Sequence, residues 1–390
     1  MPLDSIEKLT QPTGEIKTVV ANPNGHWPSN LARDWAQLSG GVPFRTPLWN
    51  SAWWRHYGRA TDRLCLWTVA DHQGTIHSLV PWYLRQMPWG QRVIRFLGTG
   101  EVCSEHLTIL ADADIQREVV MALARRLSED EAGSWDTLEL NGIDAENEPV
   151  HDLVRILASM GHMVHSRPTL RAWRAELPES WDDFLRTMSR NRRERIRRSL
   201  RQTVDVGGAE VHSAVDLPSL ERGWAILESL HAKRWQKAGQ RGCFVSQRYA
   251  AFHREMAPRL LVAGKLRLRW IEIDGCPIAV EYGVCDDQTV YFYQSGFDPD
   301  AAHLSPGWLC VALSIKHAIE AGYRRFDFLR GDEAYKASLG ARPRMLHDIR
   351  VFARHRRGQS FGHAWNLLCR TKSVVKRLQG RACPAADDAE

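Results

Sequence analysis

Apolar residues recur at every second position in some segments and at every third or fourth position in others. The first spacing predicts strands and the second predicts helices. Each predicted segment ends at a cluster of turn-forming or polar residues. In the first half the predicted elements are a strand in KTVVANP, helices in SNLARDWAQLS and TPLWNSAWWRHYG, strands in RLCLWTVAD, IHSLVPWYLRQ, QRVIRFLG and HLTIL, a helix in ADIQREVVMALARRLSED, a strand in WDTLELNGI, a helix in NEPVHDLVRILASMGH and a strand in RAWRAEL.

The second half repeats this order of elements without repeating the residues. Its predicted elements are a strand in AEVHSAV, helices in LPSLERGWAILESLHAKRWQKAG and SQRYAAFHREMAPRLLVAG, strands in LRLRWIEID, CPIAVEYGVCD and TVYFYQSGF, a helix from Pro306, a strand in RRFDFLRG, a short helix in DEAYKASLG and a strand in HDIRVFARH. Asp274-Gly275 between two strand-like runs is a strong hairpin signal. The repeated order predicts a duplicated architecture.

We therefore expect an α/β fold, of α+β type with a mixed sheet, built from tandem domains at residues 16–180 and 181–355. Residues 356–390 follow as a basic amphipathic helix and a disordered tail. One face of that helix carries Phe361, Trp365, Leu368, Val375 and Leu378. This face leaves two interpretations, contact with a membrane surface or packing onto the second domain.

Composition narrows the class of protein. Of the 390 residues, 44% are hydrophobic, which is enough for a sizeable core. No run of about 18 apolar residues occurs, and the N-terminal stretch lacks the apolar centre of a secretory signal, so we expect a cytoplasmic protein. The eight cysteines form no Cys-x-x-Cys pair, which indicates reduced thiols and no metal site.

Charge is distributed unevenly along the chain. Residues 1–180 hold 17 Lys and Arg against 22 Asp and Glu, and the remainder holds 35 against 24, so the second half should attract anions. Arginines concentrate in RTMSRNRRERIRRSLRQ. This helix is either a solvated surface that pairs with the acidic first half, or a site for a polyanion such as tRNA, a nucleotide-sugar, an anionic glycan or CoA phosphates. Without interleaved aromatic residues, base stacking and binding of DNA are not expected.

A second candidate anion site lies at the start of the helix that begins with Pro306. Proline in the first turn leaves the next N–H groups pointing out of the helix, where the helix dipole favours an anion. Ser305 is expected to cap this helix and Gly307 to let a phosphate approach, although an ordinary capped helix would have the same sequence. The candidate cofactor-binding residues are Gln294, Ser295, Gly296, Leu304, Ser305, Gly307 and Trp308.

From about residue 180 to 352 the chain resembles the BioF2-like acetyltransferase domain of the CelD/BcsL group, within the GNAT superfamily. The resemblance rests on FLRTMSRNRRERIRRSLRQ, LHAKRW, DGCPIAVEYG, YFYQSGFDP, LSPG and DFLRGDEAYK, in this order. The first half, with PFRTPLWNSAWW and IHSLVPWYL, is similar to the front of those proteins. Their relatives include the Fem peptidyltransferases, which have two GNAT-like domains in tandem.

The resemblance implies two GNAT-like domains with mostly antiparallel sheets, of which the second is active. It implies an acyl-CoA, such as acetyl-CoA, that lies between two splayed strands with its pyrophosphate on the helix start. One feature differs: ordinary GNAT enzymes have a glycine-rich loop before this helix, whereas this chain has AHLSPGW. That loop offers fewer glycine N–H groups to a pyrophosphate.

Three residues are candidates for acid–base catalysis. Tyr335 follows a strand directly, and the resemblance implies that it protonates the leaving thiolate, although a tyrosine there could simply pack a short helix. Glu281 and Asp327 each interrupt an apolar strand, where burial would favour a base with a raised pKa. Solvent exposure is the alternative, because a two-residue period does not assign the face. The candidate substrate-binding residues are His231, Arg234, Arg330, Glu333 and Lys336.

Three functions remain open at this point. The first is an acyl-CoA-dependent N- or O-acyltransferase, with a glycan precursor or another cell-envelope-related acceptor implied by the resemblance alone. The second is a Fem-like aminoacyl-tRNA-dependent peptidyltransferase, which the basic second half suits. The third is a non-catalytic GNAT-fold binding protein.

Overall fold

One continuous sheet of thirteen strands, flanked by eleven α-helices, is present in the residues that the computed structural model describes, namely 17–19, 27–129, 134–205 and 208–378. The strands are β1 Lys17–Val19, β2 Arg63–Ala70, β3 Ile76–Gln86, β4 Arg92–Phe96, β5 Leu110–Ala111, β6 Thr137–Asp144, β7 Met163–Glu176, β8 Glu210–Ser213, β9 Leu266–Ile273, β10 Cys276–Cys285, β11 Thr289–Phe297, β12 Arg325–Arg330 and β13 Arg342–Phe352. The helices are α1 Ser29–Leu38, α2 Pro47–Tyr57, α3 Gln116–Ser128, α4 Glu148–Ser159, α5 Trp181–Arg186, α6 Arg190–Leu200, α7 Leu217–Lys237, α8 Gln247–Val262, α9 Pro306–Glu320, α10 Ala334–Ser338 and α11 Arg356–Leu378.

Most predicted elements are confirmed, and the exceptions depend on distant partners. The strand expected in HLTIL is reduced to β5, which pairs only with β3 within the described residues. In contrast, β7 begins at Met163, well before the predicted RAWRAEL, because it pairs along its length with β13. The tail predicted to be disordered, residues 382–390, lies outside the described residues.

The strand order is β1-β2-β3-β4-β6-β13-β7-β12-β11-β10-β9-β8, with β5 beside β3. The pairs β4–β6 and β11–β12 are parallel, and the other described pairs are antiparallel. The expected mixed sheet is therefore confirmed. The sheets of the two halves join into one, and the boundaries 16–180 and 181–355 remain a prediction.

The last strand of each half pairs with the other half. Strand β13 lies between β6 and β7, with Leu346 opposite Asp144 and Phe352 opposite Met163. Strand β7 in turn pairs with β12 of the second half, where Glu176 lies opposite Arg325. The final strand of each half thus lies between two strands of the other half.

Helices cover both faces of the sheet around the second half. Apolar side chains of α7, including Leu227 and Leu230, pack with Val280 and Tyr282 of β10 on one face. Leu309 and Cys310 of α9 pack on the other face, against Ala279 and Ile271. Because successive strand residues point to opposite faces, this arrangement assigns the regularly paired residues Ala279–Tyr282 of β10 and their partners on β9 and β11 to the α7 side or the α9 side.

A buried ion-pair network joins the two halves at Asp327 of β12. Its carboxylate lies 3.2 Å from Nε2 of His106 and 3.0 Å from Nη2 of Arg344, and Arg344 also pairs with Asp144. Burial by itself raises the pKa of Asp327, but His106, Arg344 and the N–H of Leu329 outweigh it and hold that pKa below its ordinary value. The charged carboxylate therefore stabilises the folded state at neutral pH, and this contribution is lost as the pH falls.

We expect Asp327→Asn to lower the free energy of unfolding by about 3 kcal/mol, because it removes one charge from a buried pair. Urea unfolding monitored by tryptophan fluorescence measures the change. Asp152→Asn is the matched control: Asp152 pairs with Arg155 on the exposed surface of α4, so a loss of at most about 1 kcal/mol is expected. Equal losses in the two variants would contradict a structural role for the network.

Candidate functional site

Strands β11 and β12 separate after three paired residues. Thr289, Val290 and Tyr291 pair with Arg325, Phe326 and Asp327, whereas β11 continues beside β10 as far as Phe297. Asp327 contributes to the separation, because its Oδ1 accepts the N–H of Leu329 at 2.8 Å and Leu329 has a φ of 58°. This bend turns β12 away and leaves a gap along the unpaired edge of β11, as the splayed pair in the expected fold requires.

The side chains on either face of the gap follow from the β10–β11 register. Gln294 and Gly296 lie opposite Tyr282 and Val280, so they face α7. A Cβ atom on Gly296 would lie 2.5 Å from the backbone nitrogen of His231, so glycine is needed here for α7 to pack this closely. We expected Gly296 to bind a cofactor, but its missing side chain is explained by helix packing.

Arg234 of α7 reaches across the gap from one face of the sheet to the other. Its Nη1 lies 3.2 Å from Oγ of Ser295, and its guanidinium lies 5.2 Å from the ring centre of Phe297. Both partners belong to the α9 face, because they pair with Glu281 and Ala279. The side chain must therefore pass the unpaired edge of β11, which brings a positive charge into the opening between the splayed strands.

His231, one turn before Arg234, is fully engaged within the fold. The indole N–H of Trp235 donates to its Nε2 at 2.8 Å, the thiol sulfur of Cys243 lies 3.4 Å from the same nitrogen, and Gln294 bonds to the imidazole. Burial, with a smaller contribution from Arg234, lowers the pKa of His231 to about 4. The ring is therefore neutral at pH 7, and it orients Gln294 at the gap.

The start of α9 lies beside the gap and differs in one respect from the expectation. Ser305 has a φ of 50° and its side chain makes no capping bond, so the predicted serine cap is wrong. The N–H of Leu309 bonds to the carbonyl of Ser305, whereas the N–H groups of Gly307 and Trp308 have no acceptor among the described residues. These two donors, with the positive end of a 15-residue helix behind them, suit an anion.

Space on one side of this helix start is occupied by protein. A Cβ atom on Gly307 would lie 3.0 Å from the ring of Phe297, so that glycine allows ring packing there. The Leu304 side chain packs in the same apolar cluster as Phe297, and Trp308 packs against the cluster around β12. Of the cofactor contacts that we expected at the start of α9, the backbone N–H groups of Gly307 and Trp308 remain available to a pyrophosphate.

Tyr335 of α10 is mostly buried and packs on the apolar cluster that includes Phe328 of β12. Its ring lies 6.1 Å from that of Phe328, and the charged or polar groups that act on its hydroxyl are Glu333, Arg234 and Cys310. Burial is the main cause that raises the pKa of Tyr335, so the phenol keeps its proton at neutral pH. A protonated phenol near a guanidinium can donate a proton to a developing thiolate.

Glu281 lies one strand away from the gap, on the α9 face. It is 3% exposed, and neither carboxylate oxygen has a hydrogen-bond partner within the described residues. Arg269 is the nearest cation, with Nη1 3.8 Å from Oε1. The register places Arg269, Glu281 and Ser295 in one row beneath α9. A buried carboxylate with unused lone pairs is costly, which favours a donor arriving with a ligand or water.

Contacts within the fold account for the positions of four other candidate site residues. Asp327 belongs to the buried network, and Arg330 is bound through Nε and its backbone N–H to Glu105. The ammonium of Lys336 lies within 3.5 Å of the carbonyl oxygens at the end of β12 and pairs with Glu333 at 2.9 Å. Substrate binding by Lys336, Glu333 or Arg330 and catalysis by Asp327 therefore have no support in the geometry.

The first half supplies contacts at the site that the sequence did not indicate. The hydroxyl of Tyr293 on β11 donates to the carbonyl of Val102, Glu105 holds Arg330, and His106 holds Asp327. The segment GTGEVCSEH has the glycines and polar residues of a loop, but nothing in it reveals a partner distant in sequence. Within the described residues, no group of three or more His, Cys, Asp or Glu side chains could hold a metal ion.

The corresponding gap in the first half is closed. Parallel pairing of β4 and β6 ends at Ile94 and Leu138. The next residues on each strand, Arg95 and Glu139, form an ion pair at 3.0 Å that bridges the two strands, and Arg350 adds a second contact at 2.8 Å. Charged side chains thus fill the position that is open in the second half.

Comparisons with known proteins agree with this geometry. Residues 190–337 match a family model described as an acetyltransferase (GNAT) domain. This segment has the GNAT fold. FemX is similar across 83% of this chain and 96% of its own, with 10% identity and a TM-score of 0.59. A conserved protein of unknown function from Bacteroides thetaiotaomicron is 11% identical, with a TM-score of 0.53 over 86% of this chain and 99% of its own. No curated protein matches the sequence.

The family match supports a GNAT domain for residues 190–337. These comparisons do not reach the BioF2-like, CelD/BcsL subgroup, which remains a prediction. At these identities the solved structures establish the fold alone. No helix in the described part of the chain is both long and apolar enough to cross a membrane.

We expect His231→Gln to reduce the loss of stability on acidification. The depressed pKa means that the unfolded chain binds more protons than the folded one between about pH 6.5 and 4. The contribution of neutral His231 is therefore complete above this range and is lost as the pH falls through it. His253 and His317 also have lowered pKa values, of about 3 and about 4, so part of the acid sensitivity should remain.

Melting temperatures at pH 7 and pH 4.5 measure this effect. His363→Gln, at an exposed position of α11, serves as the control and should leave the difference unchanged. If His231→Gln and His363→Gln lose equal stability between the two pH values, the imidazole is not buried in neutral form.

Proposed function

We propose that the protein is a GNAT-type acyltransferase that transfers an acyl group from an acyl-CoA, such as acetyl-CoA, to an amine or hydroxyl. The observation that carries the proposal is the open gap between β11 and β12, with Arg234 and Tyr335 at its sides. The free N–H groups of Gly307 and Trp308 lie at its mouth and suit the pyrophosphate. An extended pantetheine arm has the shape of such a gap, and its amides can pair with the unpaired edge of β11.

The proposed reaction needs three groups around the thioester. The acceptor nitrogen or oxygen attacks the thioester carbonyl, and its proton passes to a base. The new C–N or C–O bond forms as the C–S bond breaks, and the departing thiolate takes a proton from the Tyr335 hydroxyl. Arg234 stabilises the negative charge that develops on the carbonyl oxygen or sulfur, because it is the cation in the gap.

Glu281 is the proposed base. Its oxygens have no donors in the fold, and it lies opposite Ser295, the residue that Arg234 contacts. One strand separates it from the gap, so the proton would reach it through Ser295 or a bridging water. Catalysis by Asp327 is not proposed, since its carboxylate is occupied by His106 and Arg344.

The acceptor is proposed to approach from the side of residues 101–106, which the first half places against β11. A glycan precursor or another cell-envelope-related molecule follows from the family resemblance, and no residue of the site selects it. In this arrangement the first half would shape the acceptor site and the second half would hold the donor.

Acetyl-CoA is expected to raise the melting temperature of the full chain, since a ligand that binds only the folded state stabilises it. Tyr335→Phe should keep this shift and lower kcat by about 100-fold, because only the proton donor is lost. Thioester consumption with a panel of amines and amino sugars, monitored by release of free CoA thiol, measures the rate.

Arg234→Met tests the cation in the gap and should lower kcat more than it raises KM. Arg254→Met is the matched control, because Arg254 pairs with Glu228 on the exposed side of α8. The proposal fails if acetyl-CoA and free CoA leave the melting temperature unchanged, or if Tyr335→Phe and Arg234→Met are as active as Arg254→Met.

A second candidate function is aminoacyl-tRNA-dependent transfer of the Fem type. A groove of about 550 Å³ between α6 and α9 favours it, because its lining includes four cations. They are Arg197, Arg198, Arg201 and Lys316. Arg197 pairs with Asp182, while Arg198 and Arg201 have no ion-pair partner within the described residues. A concave basic surface of this kind suits a phosphate backbone.

If this second function holds, charged tRNA should bind at low salt and weaken steeply as salt rises. Arg198→Glu/Arg201→Glu should weaken tRNA binding by about tenfold or more and leave the acetyl-CoA shift intact. Arg117→Glu/Arg155→Glu, on exposed positions of α3 and α4, is the control with the same change of charge. Filter binding with aminoacylated and uncharged tRNA is the measurement, and equal effects of the two double variants would reject the groove.

A further inference from the structure

The C-terminal helix α11 packs against the protein along its first turns. Gly358 and Gly362 lie on this inner face, where Cβ atoms would be 2.4 Å from the carbonyl oxygen of Ala353 and 2.7 Å from the sulfur of Met163. Trp365 continues the contact, with the guanidinium of Arg350 3.7 Å from its ring centre. The first half of this helix therefore packs onto the protein through residues of both halves, whereas the interpretation from the sequence named the second domain alone.

Directly after Trp365 the helix exposes two leucines. Leu367 is 65% exposed and Leu368 is 51% exposed, and both are among the large apolar side chains left open in the described part of the chain. A residue advances about 100° around an α-helix, so Leu367 lies about 200° from Trp365 and faces away from the glycine contact. Leu367 is thus turned away from the protein, and Leu368, about 60° from Trp365, is exposed at the edge of the inner face.

The sequence continues this apolar spacing. Val374, Val375 and Leu378 follow Leu367 at intervals of seven, eight and eleven residues, the positions that share one side of a helix. The remaining positions from 371 to 378 include the cations Lys372, Lys376 and Arg377, and the segment from 356 to 378 contains no Asp or Glu. An apolar stripe bordered by cations, without acids, is complementary to an apolar layer beneath negative charges.

We propose that α11 binds the surface of a membrane rich in acidic lipids. The exposed leucines enter the boundary between headgroups and acyl chains, and the excess positive charge of residues 356–378 attracts the acidic headgroups. The inner face stays on β13 and β7, so the catalytic unit is held at a fixed orientation to the bilayer. This interaction is independent of the proposed chemistry, because none of its residues belongs to the gap between β11 and β12.

Co-flotation of the full chain with lipid vesicles tests the proposal. Vesicles of phosphatidylcholine with 30% phosphatidylglycerol, a composition of about one charge in three headgroups, are compared with pure phosphatidylcholine. The protein should float with the acidic vesicles and dissociate as salt is raised. Leu367→Glu/Leu368→Glu should weaken binding at least about tenfold, because two apolar insertions are lost and two negative charges are added.

Val262→Glu is the matched control, since Val262 is 88% exposed at the end of α8 and is not part of α11. It should bind acidic vesicles like the unchanged chain, and the melting temperature of all three proteins should agree. The proposal is overturned if the chain does not float with acidic vesicles, or if the double leucine variant floats equally well. It is also overturned if the leucines instead support self-association, seen as a dimer in sedimentation that the double variant abolishes without any vesicle binding.

Discussion

The site depends on one bend in β12. Asp327 accepts a hydrogen bond from the N–H of Leu329, two residues along its own strand, and the chain leaves its partner β11 at that point. The same carboxylate is bound to His106 and Arg344, which belong to a loop of the first half and to the last strand of the chain. The shape of the gap and one of the contacts between the two halves therefore depend on the same buried charge. This explains why an aspartate interrupts an otherwise apolar strand, a feature that the sequence alone suggested was catalytic.

The two halves have the same strand arrangement, but different side chains lie where the parallel strand pair of each half separates. Each contains a parallel pair that ends early, but in the first half Arg95 and Glu139 close the opening. In the second half Arg234 lines the opening without filling it, and Tyr335 lies beside it. The first half, whose own opening is closed, contacts the open second half through Val102, Glu105 and His106. The segment that matches the GNAT acetyltransferase model, residues 190–337, is the half with the open gap.

The sequence predicted local structure well and long-range contacts poorly. Periodicity and turn residues located β9, β10, β11 and α9, because these depend on neighbours in the chain, and Asp274 and Gly275 both adopt the positive φ that their hairpin needs. The surroundings of Lys336 and Arg330 could not be predicted from the sequence for the opposite reason. Their partners, the carbonyl groups at the end of β12 and Glu105, are brought to them by the fold. Gly296 and Gly307 show the same limit, since a missing side chain can serve a helix, a ring or a ligand alike.

Because each half pairs its last strand with the other half, folding of the sheet depends on the order in which the strands are synthesised. As the chain leaves the ribosome, β6 and β7 emerge long before β13, which must lie between them. Until residues 342–352 are synthesised, the nascent first half has two unsatisfied strand edges facing a vacant slot. Exposed edges of this kind invite pairing with the wrong chain, so early intermediates would depend on chaperone protection until β13 has been synthesised.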